Sequence, residues 1–288
     1  MTRQPIVARR AEELLGVAVA ATAPVAGGDV ATATRIRTAT GLVALMKTRP
    51  HAPSGFFESE ATGLRWLAEA TAAGGVAVPE LLGAAEDCVI LRWIEPGRPT
   101  TDAAAAFGRE LAATHAAGAP GFGWDHDGFI ASLPLPHRPL PTWAEFYAAR
   151  RVLPYLRLAR ERGAITAGQQ VVIERLVARL PDLVPEEPPA RVHGDLWNGN
   201  VLWGHDGRTY VIDPAAHGGH REVDLAMLSL FGLPHLARVL AAYQEAAPLA
   251  PGFEERVPLH QIHPLLVHAC LFGGGYGARA ADCAVRYL

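Results

Sequence analysis

The sequence predicts an α+β protein of two lobes. A small N-terminal lobe, residues 1–95, is built on a mostly antiparallel sheet with one helix, and a larger, mainly helical C-terminal lobe spans residues 96–288. Three observations lead there. Residues 17–48 read as successive strands broken by turn residues rather than as a helical period. A Pro-Gly break at Pro96-Gly97 ends two short apolar strands, and beyond it the pattern turns helical. Within that helical half, "NVLW" and "TYVID" flank His205-Asp206-Gly207, a hairpin pattern.

Element by element, residues 5–15 alternate helically through Ile6, Val7, Leu14 and Leu15. A strand near 17–25, a turn at Gly27-Gly28-Asp29, a strand near 30–38 and a third over 41–48 carrying Lys47 follow. "PSGFFESEATGLRWLAEATAAGG" is a helix started by Pro53 or Ser54, with Phe57, Leu64 and Leu67 at helical spacing and Gly74-Gly75 ending it. Glu58 and Glu60 lie early in it. Two short strands occupy "PELLGAAEDCVILRW". Thr101 or Asp102 opens the next helix. Residues 118–141, rich in Gly, Pro and aromatics, read as one long binding loop. Helices are expected near 142–162 and 166–180, and residues 221–288 are mainly helical.

Half of the chain is hydrophobic and 19% charged, enough for a substantial core. Net charge is −3 with no basic stripe, which argues against a nucleic-acid partner. No apolar run reaches the ~18 residues of a membrane helix. The polar N-terminus and the odd set Cys88, Cys270 and Cys283 fit a cytoplasmic protein with reduced thiols.

Two residue types are placed with unusual economy. Of 26 Lys plus Arg, Lys47 is the one lysine, and Asn198 and Asn200 are the two asparagines, both in "RVHGDLWNGN". Asp195 and Asn200 are separated by four residues, and a hairpin returns Asp213 towards Asn200. A carboxylate and an amide oxygen converging there suit Mg²⁺ with nucleotide phosphates, and leave Asp195 to orient or deprotonate a hydroxyl. The pattern H-x-D-x4-N followed by a carboxylate beyond a hairpin matches the kinase catalytic loop and its metal-binding Asp. Lys47 on a third strand and Glu60 on the next helix extend the match, with Glu58 as the alternative partner. His193 reads as a structural residue. "HGGH" at 217–220 and "HQIHPLLVH" at 260–268 hint at zinc, but the former reads as a Gly-rich loop next to the active site and the latter carries Pro264 and lacks Cys or carboxylate partners at metal spacing, so no zinc is expected. Trp66 reads as packing, Cys88 as a buried thiol, and "GGGYGAR" at 273–279 as close helix packing.

The chain resembles the fructosamine-3-kinase (ketosamine-3-kinase) family, within the aminoglycoside-phosphotransferase-like kinases. The resemblance is carried by "GGD" at 27–29, "MKT" at 46–48, "APSGFFESEATGLRWL" at 52–67, "WIEPG" at 93–97 and "GFGWDHDGFIASLP" at 121–134. It continues in "PTWAEFYAARRVLPYL" at 141–156, "HGDLWNGNVLW" at 193–203 and "IDPAAHGGHREVDLAML" at 212–228. It implies a bilobal protein-kinase-like fold, with ATP and Mg²⁺ as cofactors. It implies Asp195 as catalytic base, Asn200 and Asp213 as Mg²⁺ ligands, Lys47 as the phosphate-binding lysine with Glu60 as its ion-pair partner, and Gly27 and Gly28 in the phosphate-covering loop. Arg92, Trp93 and Ile94 would form the interlobe hinge that holds adenine, and Asp224 would prop the catalytic loop. Trp197 and Trp124 are expected to wall the sugar site. The implied substrate is a ketosamine, free or protein-bound, phosphorylated at the sugar 3-hydroxyl and then deglycated.

There are departures. The phosphate loop lacks G-x-G-x-x-G, Gly194 stands where many protein kinases have Arg, and Pro214-Ala215 stand in place of Phe-Gly. They point to a constitutively formed small-molecule kinase. Two alternatives stay open: a kinase for another small alcohol, of aminoglycoside or choline type, and a non-catalytic nucleotide-binding module.

Overall fold

The computed structural model describes residues 6–26 and 30–288. Helix α1 (Ile6–Leu15) leads into β1 (Val19–Val25), β2 (Thr32–Thr38) and β3 (Val43–Thr48); α2 (Phe56–Thr71), β4 (Leu81–Ala85) and β5 (Cys88–Arg92) follow. The five strands form one antiparallel sheet in the order β1-β2-β3-β5-β4. The Gly27-Gly28 turn expected between β1 and β2 lies outside the described residues.

Alternation along the strands decides what each face carries, because successive side chains point to opposite sides. Ala44 and Met46 of β3 join Cys88 and Ile90 of β5 in a core with Ala11 and Ile36. Val89 and Leu91 face the other way, into a cluster with Phe57 and Leu64 of α2. Lys47 pairs in register with Val89. Residues directly opposite in an antiparallel pair share a face, so Lys47 projects towards α2.

Beyond Pro96, α3 (Thr101–Ala116) starts from Thr100, whose side chain accepts the Ala103 amide at 3.1 Å. The cap lies one residue earlier than the sequence suggested. Residues 118–141 are not a structureless loop. They contain a hairpin of β6 (Gly128–Ile130) and β7 (Leu133–Leu135), in which Ile130, Leu133 and Leu135 are buried and Ala131 makes the turn at φ 50°. The high Gly and Pro content had masked this short strand pair.

Next come α4 (Trp143–Phe146), a π-helical segment (Tyr147–Val152) and α5 (Leu153–Glu161), a continuous run in place of the expected single helix. Pro154 has no amide to donate, which accounts for the local widening of the helix before it. The rest comprises α6 (Ala167–Val177), α7 (Leu180–Leu183), β8 (Ala190–Val192), a 3₁₀ turn (Asn198–Asn200), β9 (Val201–Trp203), β10 (Thr209–Val211), β11 (His217–Gly219), α8 (Glu222–Leu230), α9 (Leu236–Ala246), α10 (Phe253–His260), α11 (Ile262–Phe272) and α12 (Tyr276–Val285). β9 and β10 form the expected hairpin, and β8 pairs with β11. Gly277 of α12 lets that helix lie on Ala164, whose carbonyl would be 2.1 Å from an added Cβ.

The sheet region and the helical region meet through α2 and the hairpin. Leu67 of α2 shares a core with Leu196, Val201 and Val211. Gly97 donates to the Trp203 carbonyl at 2.7 Å, and His205 donates to the Glu95 carbonyl at 2.8 Å.

Helix α3 packs closely against α9. A Cβ on Gly108 would sit 2.2 Å from the Val239 carbonyl oxygen. Gly108→Ala should therefore destabilise the protein, although alanine gains ~1 kcal/mol in helix propensity. The urea midpoint should fall with an unchanged m value.

Candidate active site

Glu60 lies on the same face of α2 as Phe57, Ala61 and Leu64, all buried. The i, i+3, i+4 spacing turns that face to the sheet. Lys47 Nζ reaches both Glu60 oxygens at 2.8 and 2.9 Å. Glu58 points outward to Thr62 and Arg65, so it is not the partner. Lys47 also bonds Asp213 Oδ1 at 2.5 Å, joining β3, α2 and the end of the β9–β10 hairpin. Burial works against the ammonium, but Glu60 and Asp213 together hold its pKa above the ordinary value. Burial pushes Glu60 up to about 7 against the pull of Lys47.

The segment after β8 is held from below by Asp224, at the start of α8. Its Oδ2 accepts the His193 amide at 2.7 Å, and its Oδ1 accepts the Gly194 amide at 2.9 Å. His115 Nε2 adds a third bond to Oδ2 at 3.1 Å. Burial alone would raise the Asp224 pKa; His115 and His193 together leave the carboxylate below its usual range. His115 gave no local signal in the sequence, because its partner is 109 residues away.

Gly194 has φ +82°, and a Cβ there would meet the Ala215 carbonyl oxygen at 2.2 Å. No side chain fits, which explains the glycine at this position. His193 Nε2 donates to the Ile212 carbonyl at 2.9 Å, while its Nδ1 accepts the Asp195 amide at 3.2 Å. That pattern needs the neutral ring, which burial also favours. Asp195 is pushed up to about 7, by burial first and by the Asp213 charge second, with the Asn200 bond opposing. Asn200 Nδ2 bonds the Asp195 carbonyl at 2.8 Å and its Oδ2 at 3.3 Å. The Asn200 Oδ1 is left over for another partner. Asp213 adopts φ 55°, a strained conformation for a non-glycine residue.

The remaining expected residues divide. Trp197 is exposed and packs edge-on against Phe231 at 5.9 Å between centroids. Asn198 opens the 3₁₀ turn, but its side chain makes no hydrogen bond among the described residues, so the turn is held by backbone bonds. Trp124 packs on Trp66 at 4.0 Å and is not among the residues around the cavity beside Asp195. The Arg92 and Trp93 amides are already used, on the Glu80 and Val43 carbonyls. Ile94 is half-buried where the sheet region gives way to the helical one. Gly27 and Gly28 lie outside the described residues.

The two histidine stretches do converge, which their spacing did not reveal. His220 and His260 stack at 5.4 Å, and Glu222 supplies the carboxylate that the sequence reading found missing. Both Glu222 oxygens are already bonded by Arg256, at 2.5 and 2.9 Å, and Oε2 also by His260 at 3.1 Å. The carboxylate is therefore fully engaged, while His220 Nε2 and His260 Nδ1 have no hydrogen-bond partner among the described residues.

A buried lysine bridges two carboxylates beside a propped His-Gly-Asp and an inward asparagine. The family profile described as Fructosamine kinase matches residues 4–288. The chain belongs to that family. It is therefore a kinase. A probable ketoamine kinase of Synechocystis sp. is 39% identical over 238 residues, covering 81% of this chain and 78% of that one. One from Lactiplantibacillus plantarum is 34% identical over 266 residues, covering 92% and 93%. A Thermobifida fusca crystal structure described as a fructosamine-3-kinase superposes with TM-score 0.92 at 49% identity, covering 98% of both chains. Spectinomycin phosphotransferase, solved with ADP and spectinomycin, shares the fold at TM-score 0.61 and 13% identity. The fold is thus that of the bilobal protein-kinase-like phosphotransferases.

Removing the Asp224 carboxylate strands two amides and an imidazole in the interior. Asp224→Ala should cost about 3 kcal/mol or more in denaturant unfolding. An Asp224→Ala protein as stable as the parent would exclude the propping role.

Proposed function

We propose that this fructosamine kinase family member transfers the γ-phosphoryl group of ATP to the 3-hydroxyl of a ketosamine, free or protein-bound, in the cytoplasm. The new bond is from the sugar oxygen to phosphorus, the bond to the ADP oxygen breaks, and the hydroxyl proton passes to Asp195. The phosphorylated sugar would then shed its amine, which makes the reaction deglycation. Residues 1–95 would hold ATP and residues 96–288 the acceptor. The observation that carries this reading is Lys47 bridging Glu60 and Asp213 while Asn200 bonds Asp195.

In this reading Lys47 holds the phosphates, steadied by Glu60, and the residues 27–28 turn covers them. The backbone of Arg92 to Ile94 borders adenine. The donor set suits Mg²⁺: an amide oxygen on Asn200 not used by its Asp195 bonds, and a partly exposed carboxylate on Asp213. Held there, Mg²⁺ would offset charge on the transferring phosphate. His193 and Asp224 position Asp195, and exposed Trp197 offers a face for the sugar. A second reading, a kinase for another small alcohol, is favoured only by the fold shared with spectinomycin phosphotransferase.

Turnover of ATP across ketosamines, aminoglycosides and choline tests the reading. Ketosamines should be the best acceptors, with phosphorus NMR locating the phosphate at the 3-hydroxyl. Asp195→Asn should bind ATP normally and lose about 10²–10⁴-fold in kcat; near-normal turnover would rule out the assigned base. EDTA should abolish turnover and Mg²⁺ restore it, whereas a metal-independent rate would remove the ligand roles of Asn200 and Asp213.

A further inference from the structure

Next to Asp195 and Gly194 the molecule has a cavity of about 20 Å³, also lined by Trp143, Arg151, His217, His260 and His263. None of these last five was part of the site expected from the catalytic-loop motifs. Four of them carry a buried side-chain nitrogen without a hydrogen-bond partner: Trp143 Nε1, His217 Nε2, His260 Nδ1 and His263 Nε2. Buried polar groups are seldom left unpaired, and such a cluster beside a reacting centre calls for a ligand that completes it.

The chemistry of these nitrogens restricts that ligand. Trp143 Nε1 can only donate. His217 Nδ1 lies 2.8 Å from the Ala215 carbonyl, which can only accept, so Nδ1 carries the proton. Burial, then the Arg151 charge, keeps His217 well below its ordinary pKa. His217 Nε2 is therefore a bare acceptor. Arg151, 2% exposed, has the Pro136 carbonyl at 2.6 Å and the His137 ring at 2.9 Å, and forms no ion pair among the described residues. An anion cannot donate to His217, and an ammonium can neither accept from Trp143 nor sit comfortably beside an unpaired guanidinium. A hydroxyl both donates and accepts, and a cavity of this size holds about one water-sized group.

We propose that this cavity is a specificity pocket that takes one hydroxyl of the acceptor other than the one phosphorylated, read by His217, His263 and Trp143. The proposal rests on the ketosamine kinase reading and deepens it. It makes the enzyme selective for acceptors that present a second hydroxyl, as a ketosamine does, over amino alcohols with a single one.

The test compares a fructosamine with its 4-, 5- and 6-deoxy analogues in the full-length enzyme. One analogue should lose about 10-fold or more in kcat/KM. In His217→Phe and in His263→Phe the penalty for that same analogue should shrink towards one. Both substitutions exchange ring for ring and remove an unpaired nitrogen, and melting curves verify folding; if one variant does not fold, the other decides. Equal turnover of all analogues, or an undiminished penalty in the folded variants, overturns the pocket alone. So does a structure with the acceptor bound in which only water fills the cavity. No turnover of the parent fructosamine overturns the kinase reading and the pocket together.

Discussion

The site depends on one buried ammonium. Lys47 comes from a strand, Glu60 from the helix packed on the sheet, and Asp213 from a hairpin 166 residues further along. A lone charge in that position would be costly, because burial removes its water. Two carboxylates remove the penalty, but only if the sheet, α2 and the hairpin hold their relative positions. The same contact therefore reports whether the two regions are assembled. Lysine is a compact point charge, and here one ammonium nitrogen meets Glu60 and Asp213 together in a chain whose other basic residues are arginine.

The segment carrying Asp195 is rigid for a related reason. Asp224 takes the amides of His193 and Gly194, and His115 fixes Asp224 in turn. Gly194 permits the Ala215 carbonyl to approach closely, and Asp213 holds an uncommon backbone conformation. Strain and buried charge are concentrated where two carboxylates, Asp195 and Asp213, face one another. Burial, and after it the Asp213 charge, is what raises the Asp195 pKa. Such pre-organisation is the usual means by which phosphotransferases work, since their chemistry is mostly positioning and charge stabilisation.

Histidines form a second theme. His260 bonds the Glu222 carboxylate that Arg256 already holds, and its other ring nitrogen lines the cavity unpaired with those of His217 and His263. The Glu222 carboxylate is thus fully engaged within the fold, whereas the imidazoles around it are not.

Much was legible in the chain itself. Period-two alternation determined which strand residues face each side of the sheet, and helical spacing determined the buried face of α2. The lone lysine, Asn200 and the H-x-D-x4-N spacing pointed to residues that the fold brings together in the candidate site, because those signals are local or compositional. What only the tertiary structure decided was non-local. Glu60 rather than Glu58 meets Lys47 because α2 docks with that face inward. The β6–β7 hairpin formed where Gly and Pro obscured a three-residue strand pattern. His115 reached Asp224, and the two histidine stretches met around Glu222. Sequence spacing constrains neighbours within a helical turn or a strand pair; which distant faces touch is set by packing, and packing brings together residues that no spacing connects.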